Sequence, residues 1–213
     1  MPQVYTIGHS TQSISAFVSL LRQYDVNAVA DVRSHPHSTR SPHFSQGALQ
    51  ASLEASGIRY VFLGRELGAR RDEKECYVNG QAKYEKIAVL PVFASGIERL
   101  LSGAKKYRIA LMCAEQDPLT CHRTILVCHE LKKHDVMIKH ICRNGTLETH
   151  ENAERRLVSE EFGGADQRDM FAASCSPSEM LEQAYARRAD SIAYRQDERI
   201  DDHSHDRVHA EIR

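Results

Sequence analysis

The chain has 213 residues, of which 41% are hydrophobic and 27% charged, and its formal net charge is −1. These values are ordinary for a soluble globular protein, and no apolar run approaches the roughly 20 residues that cross a bilayer. Because the first ten residues have neither a basic nor an apolar stretch, we expect a cytoplasmic protein rather than a membrane-bound or Sec-exported one. The six cysteines are widely spaced, which predicts free thiols rather than a disulfide scaffold.

Charge is unevenly distributed along the chain. Residues 1–150 carry 19 Lys+Arg against 14 Asp+Glu, whereas residues 151–213 carry 9 against 15. The basic part also contains nine of the twelve histidines. This distribution favours an anionic ligand for the first part, and a shielding or merely solvated role for the acidic remainder.

Apolar runs alternate with helical patterns over the first 150 residues. Short, nearly all apolar runs predict strands at residues 3–8, 27–34, 58–63, 107–112 and 136–141. The segments between them predict helices at residues 13–24, 46–56, 84–105 and 121–133, with long loops at 35–45 and 64–84.

This order predicts an α/β fold: a three-layer domain over residues 1–150, with an open, mostly parallel sheet of about five strands and flanking helices. Residues 151–213 are expected to form an acidic C-terminal extension, partly helical or disordered. Its clearest helical segment is Pro177–Arg188, with Ser176 or Ser178 as N-cap.

Polar or reactive side chains follow the predicted strands, at the edge where ligands bind to open parallel sheets. The second strand ends in an Asp-x-Arg pair, which could form an internal ion pair or hold a ligand. The first strand ends in a Gly-His-Ser-Thr turn. This turn could supply an acid/base group through its histidine, or it could be an ordinary helix cap. We therefore expect one pocket formed by His9, Ser10, Asp31, Arg33, Arg40, Cys113, Glu115, Cys121, His122 and Arg123.

The segment CAEQDPLTCHR carries the most chemistry. Cys121 lies near a predicted helix start beside His122 and Arg123, an environment that lowers a thiol pKa. Glu115 is a candidate general acid or base, and Arg123 suits a phosphate or carboxylate. The alternative is that both cysteines are buried structural residues and Arg123 forms an ion pair with Glu115.

The histidines and cysteines also raise the question of a metal site. The predicted sheet edge could bring His9, Cys113, Cys121 and His122 together, but the spacing matches neither a Cys-x2-Cys pair nor a His-Glu-x-x-His motif. We therefore assign no metal ligands from the sequence and no particular cofactor, and keep a His/Cys metalloenzyme as an alternative.

The strings YTIGHST, AVADVRSHPHSTRSPHF, GIRYVFLGRELG and LMCAEQDPLTCHR, in this order, resemble the domain of unknown function 488 family. The resemblance covers roughly residues 3–145 and implies a small α/β domain of bacterial and archaeal proteins, without a function. Its pattern residues correspond here to Gly8, His9, Ser10, Asp31, Arg33, Pro36, Ser38, Arg40, Phe44, Leu63, Gly64, Cys113, Glu115, Cys121, His122 and Arg123.

The leading functional hypothesis is a hydrolase or group transferase that acts on an anionic, nucleotide-like or nucleic-acid-derived substrate. Cys113, Glu115 and His9 are the catalytic candidates. Substrate binding is assigned to Ser10, Asp31, Arg33, Arg40, Cys121, His122 and Arg123. One alternative is a non-catalytic module that binds or senses an anionic small molecule or nucleic acid, and a second is the metalloenzyme. No membrane partner is expected.

Overall fold

The computed structural model of the protein describes residues 1–163 and 176–196. The strands are β1 (Gln3–Gly8), β2 (Ala28–Asp31), β3 (Arg59–Phe62), β4 (Tyr77–Val78), β5 (Gln81–Ala82), β6 (Ile109–Cys113), β7 (Met137–Ile141) and β8 (Leu147–Thr149). The helices are α1 (Ile14–Gln23), α2 (Gln46–Glu54), α3 (Gly64–Leu67), α4 (Tyr84–Ala88), α5 (Pro91–Ala104), α6 (His129–Leu131), α7 (His150–Phe162) and α8 (Pro177–Ile192). A π-helical segment, Arg123–Cys128, leads directly into α6.

The main sheet has the strand order β3-β2-β6-β1-β7-β8 within the described residues. All neighbouring pairs are parallel except β7 and β8, which form an antiparallel edge. The α/β prediction with a mostly parallel sheet is therefore confirmed, and each predicted strand is present. The sequence did not predict β8, nor the small β4–β5 hairpin inside the long loop.

Helices cover both faces of this sheet. Consecutive strand residues point to opposite sides, so neighbouring residues of one strand pack against different helices. Tyr5 and Ile7 pack with residues of α1 and α2 on one face. Val4 packs with residues of α5, the π-helical segment, α7 and α8 on the other. Burial on both faces explains why the strands are nearly continuous apolar runs in the sequence.

The C-terminal helices belong to the second of these cores. Ala153 and Leu157 of α7 and Ala184 of α8 are buried in it. The predicted helix at 177–188 is confirmed as α8, and Ser176 caps it in a capping box with Glu179. Helix α7 was not predicted. The rest of the predicted extension, residues 164–175 and 197–213, lies outside the described residues. Within the described part of the chain, no helix is long and apolar enough to cross a membrane.

A crevice opens where β1 and β6 lie side by side. The chain leaves β1 through α1 on one face and leaves β6 through the π-helical segment on the other. Such a reversal of direction is the usual ligand site of open α/β sheets. Here the backbones stay close beyond the strand ends, since the His9 N–H donates to the Cys113 carbonyl at 3.0 Å. Gly8 permits this approach, because a Cβ there would lie 1.8 Å from the Glu115 carbonyl oxygen.

Candidate functional site

A cavity of about 360 Å³ lies in this crevice, at the carboxyl ends of β1, β2 and β6. The predicted site residues on its wall are His9, Arg33, Cys113, Glu115, Cys121 and His122. Four predicted residues lie elsewhere. Arg40 is exposed in the loop after β2, Asp31 and Arg123 are buried behind the wall, and Ser10 holds the turn after β1, where its N–H donates to the Ala114 carbonyl.

Two thiols, an imidazole and a carboxyl group meet on the cavity wall. The Cys113 thiol donates to Glu115 Oε2 at 3.1 Å. His122 Nδ1 lies 3.7 Å from the sulfur of Cys113 and 4.0 Å from that of Cys121. The two sulfurs and this nitrogen all lie within 4.8 Å of one another. The convergence of residues 113 and 121–122 follows from the fold, because β6 and the start of the π-helical segment share one sheet edge.

A hydrogen bond at the ring nitrogen away from the thiols fixes the orientation of His122. Its Nε2–H donates to the Val32 carbonyl oxygen at 2.9 Å. In the neutral ring this leaves the Nδ1 lone pair directed at the two sulfurs. Burial lowers the pKa of His122, but its hydrogen bond to Cys121 and the charge of Cys121 raise that pKa by more. The net result is a pKa above the ordinary value.

The two thiols titrate as a pair. Burial opposes ionisation of Cys121, yet the Cys113 hydrogen bond and the charges of Arg123 and His122 outweigh it and hold its pKa well below the ordinary value. The hydrogen bond to Cys121 and burial together raise the pKa of Cys113. The pair therefore favours a thiolate on Cys121 and a thiol on Cys113. Desolvation at the cavity wall and the neighbouring Cys121 raise the pKa of the Glu115 carboxyl group, although the residue as a whole is exposed.

Arg123 is built into the structure rather than exposed to the cavity. Its guanidinium donates to the carbonyl oxygens of Glu115 at 2.6 Å and Gln116 at 3.0 Å. Its Nε–H lies 3.4 Å from Thr6 Oγ1. The contact with Glu115 is thus to its backbone and not the carboxylate ion pair weighed from the sequence. Arg123 holds the loop that carries Glu115, and its positive charge reaches Cys121 from inside the core.

Arg33 is held at the cavity by a buried network. Its guanidinium donates to both carboxylate oxygens of Asp31, at 2.9 and 2.6 Å, and Tyr60 donates to the same carboxylate at 2.8 Å. The ion pair weighed for Asp31 and Arg33 is therefore present. Arg33 also donates to His9 Nε2 at 3.2 Å, while His9 Nδ1–H donates to the Ser10 carbonyl. Burial lowers the pKa of His9 to about 4, which keeps its ring neutral.

The cavity has a further wall that sequence reasoning missed. Arg70 and Tyr194 line it, with the Arg70 guanidinium 4.5 Å from the centre of the Tyr194 ring. Tyr194 reaches the cavity because its carbonyl oxygen accepts a hydrogen bond from the Ala82 N–H in the β4–β5 hairpin. His35 and His37 also line the cavity, and the cluster of histidines and prolines after β2 was the sequence signal for them.

No curated protein and no solved structure matches the chain. The family model described as "Domain of unknown function DUF488" matches residues 13–129, more than half of the chain. The matched span contains Arg33 and the whole Cys113–His122 group, whereas His9 precedes it and Tyr194 follows it. The chain therefore belongs to the DUF488 family.

Proposed function

We propose that the protein is an enzyme that carries out hydrolysis or group transfer on an anionic, nucleotide-like substrate bound in this cavity. The observation that carries the proposal is the contact of Cys113 with Glu115 and His122, at 3.1 and 3.7 Å, on the wall of a cavity of about 360 Å³. Sulfur, carboxyl and imidazole groups at such distances are the usual means of transferring a proton and forming a bond to a substrate.

The cationic groups around the cavity support an anionic substrate. Arg33 keeps its guanidinium in one orientation through Asp31 and His9, so little side-chain entropy is lost when an anion binds. Guanidinium N–H groups not used in those bonds suit a phosphate or carboxylate. Arg70 adds a second positive charge on the same wall.

Aromatic side chains support the nucleotide-like part of the proposal. Tyr84 and Tyr194 both line the cavity that contains Arg33 and Arg70. A ring face beside cationic side chains can accept a base on one side and a phosphate on the other.

The catalytic roles follow from position. The sulfur of Cys113 lies between the Glu115 carboxyl group and the His122 ring, and we assign it to the catalytic centre. Glu115, which accepts its hydrogen bond, takes up and returns a proton. His9 lies on the same wall, but its Nε2 accepts from Arg33 and its Nδ1–H donates to the Ser10 carbonyl, so we assign it to holding Arg33 rather than to proton transfer.

The test is a turnover screen of the full chain against nucleotides, phosphoesters and nucleosides, with matched variants. Glu115→Gln and Cys113→Ser should lose turnover by about 100-fold or more while still binding ligand. Glu130→Gln and Cys142→Ser, at residues that do not line the cavity, serve as controls and should keep full activity. If ligands bind, Arg33→Ala weakens them and yet nothing is turned over, the protein is a binding module and the proposal is wrong.

A further inference from the structure

We propose that Cys113, Cys121 and His122 form a zinc site with one coordination position left for water or substrate. The inference deepens the proposed function and rests on it for the reaction, because it assigns a metal to the same cavity. The metal itself can be tested without any substrate.

The two sulfur–nitrogen distances fit a tetrahedral zinc ion. With Zn–S near 2.3 Å and Zn–N near 2.0 Å, a tetrahedral angle separates sulfur from nitrogen by about 3.5 Å. His122 Nδ1 lies 3.7 Å from Cys113 Sγ and 4.0 Å from Cys121 Sγ. The sulfur–nitrogen distances therefore need to change by only a few tenths of an ångström, and the two sulfurs, which lie within 4.8 Å of each other, would approach to the roughly 3.8 Å of a tetrahedral S–Zn–S pair. Among the described residues, this is the group of His, Cys, Asp and Glu side chains whose ligand atoms come close enough to share an ion.

The surroundings of the three ligands are those of a metal site. The Nε2–H of His122 donates to the Val32 carbonyl, and metal-binding histidines commonly use their second nitrogen in this way. The Arg123 N–H points at the Cys121 sulfur at 3.4 Å, and such a donor stabilises a thiolate ligand.

The ligand set also selects the metal. Two thiolates and one imidazole are soft and borderline ligands, which suit zinc and not magnesium or calcium. Three protein ligands are the number found in catalytic zinc sites, where the fourth position holds water.

Cys113 would lose its thiol proton to solvent on binding zinc and would serve as a ligand. A zinc-bound water has a pKa near 7, so it supplies hydroxide at neutral pH. Glu115, whose Oε2 is 3.1 Å from Cys113 Sγ, takes the proton that this water loses. The hydroxide oxygen forms the new bond to the electrophilic atom of the substrate. The leaving group departs with the electron pair of the broken bond and receives the proton from Glu115.

The experiment measures metal content and ligand spectroscopy on the full chain. The protein is purified under reducing conditions, loaded with Zn²⁺ and dialysed. Its zinc content per chain is then measured by inductively coupled plasma mass spectrometry. In parallel, Co²⁺ replaces zinc and the thiolate-to-cobalt absorption is recorded. We expect about one zinc per chain and a strong charge-transfer band.

Variants locate the site. Cys113→Ser, Cys121→Ser and His122→Asn should each lower zinc content about tenfold or more, whereas Cys142→Ser should keep it. The cobalt spectrum of the wild type is the independent measurement, because it does not depend on the folding of any ligand variant. The absence of both retained zinc and a thiolate–cobalt band in folded wild type overturns the zinc site. Turnover without metal would then leave the proposed function standing, while a zinc-loaded protein without turnover would remove the function and keep the site.

Discussion

Acidification should destabilise the protein through a pair of buried histidines between β7 and α7. Thr6 Oγ1 lies 2.8 Å from His140 Nδ1, and His140 Nε2 lies 3.1 Å from His150 Nδ1. His150 Nε2 is 3.2 Å from the hydroxyl of Tyr185, which donates to Glu154. One set of tautomers satisfies the whole chain, with each neutral ring accepting at Nδ1 and donating at Nε2. Protonating His150 puts a charge into this buried chain and forces His140 into its other tautomer, because His150 Nδ1 then donates to His140 Nε2.

The size of the effect follows from the pKa values. Burial lowers the pKa of His150 to about 4 and that of His140 well below its ordinary value. An unfolded histidine titrates near 6.5, so the unfolded chain binds the proton first as the pH falls. The stabilisation is complete above pH 6.5 and is lost progressively as the pH falls towards 4. For His150 alone, the loss between pH 7 and pH 5 is about 2 kcal/mol.

Urea denaturation of the wild type and of His150→Gln, each at pH 7 and pH 5, measures this contribution. The variant should show a pH dependence smaller by about 2 kcal/mol, since glutamine can occupy the chain without titrating. His134→Gln is the matched control, because His134 is exposed. His9 contributes equally to all three proteins and cancels. If His150→Gln and the wild type lose the same free energy of unfolding on acidification, the argument from burial is wrong.

Two further substitutions test the packing around the site. Gly8→Ala should cost about 3 kcal/mol or more in denaturant stability, because its Cβ would meet the Glu115 carbonyl oxygen, and the open position Gly47 should gain about 0.5 kcal/mol from the same change. Equal midpoints for the two variants would contradict the close approach. Tyr60→Phe removes the 2.8 Å hydrogen bond to the Asp31 carboxylate and should cost about 1.5 kcal/mol, measured in the same way. An unchanged stability would mean that this bond is not formed in solution.

The fold was largely predictable because its strands are buried on both faces and therefore stand out as apolar runs. The elements that sequence reasoning missed lack that signal. Strand β8 has three residues at a sheet edge. Helix α7 has a largely polar sequence, and its apolar contacts are confined to a narrow stripe that includes Ala153 and Leu157. The π-helical form of Arg123–Cys128 was also unforeseen, since all six residues are buried and their apolar sequence fits an α-helix equally well.

Part of the candidate site was likewise predictable from the sequence, and part was not. The approach of Cys113 to Cys121 and His122 could be expected, because a strand end and the following helix start share one edge of a parallel sheet. The position of Tyr194 could not, because it depends on the chain after α8 returning to the β4–β5 hairpin. That pairing is made by backbone groups of Ala82 and Tyr194, and backbone groups leave no pattern in a sequence.

Arg33 and Arg123 show why residue type and spacing do not distinguish a ligand-binding arginine from a structural one. Both follow a strand, and the sequence assigned both to substrate. The Arg123 guanidinium is buried and donates to the backbone carbonyls of Glu115 and Gln116. The Arg33 guanidinium lies on the cavity wall. The Asp31 carboxylate that pairs with it does not line the cavity. An anion in the cavity can therefore gain direct hydrogen bonds from Arg33, whereas Arg123 acts on the chemistry through the loop it holds and the charge it presents to Cys121.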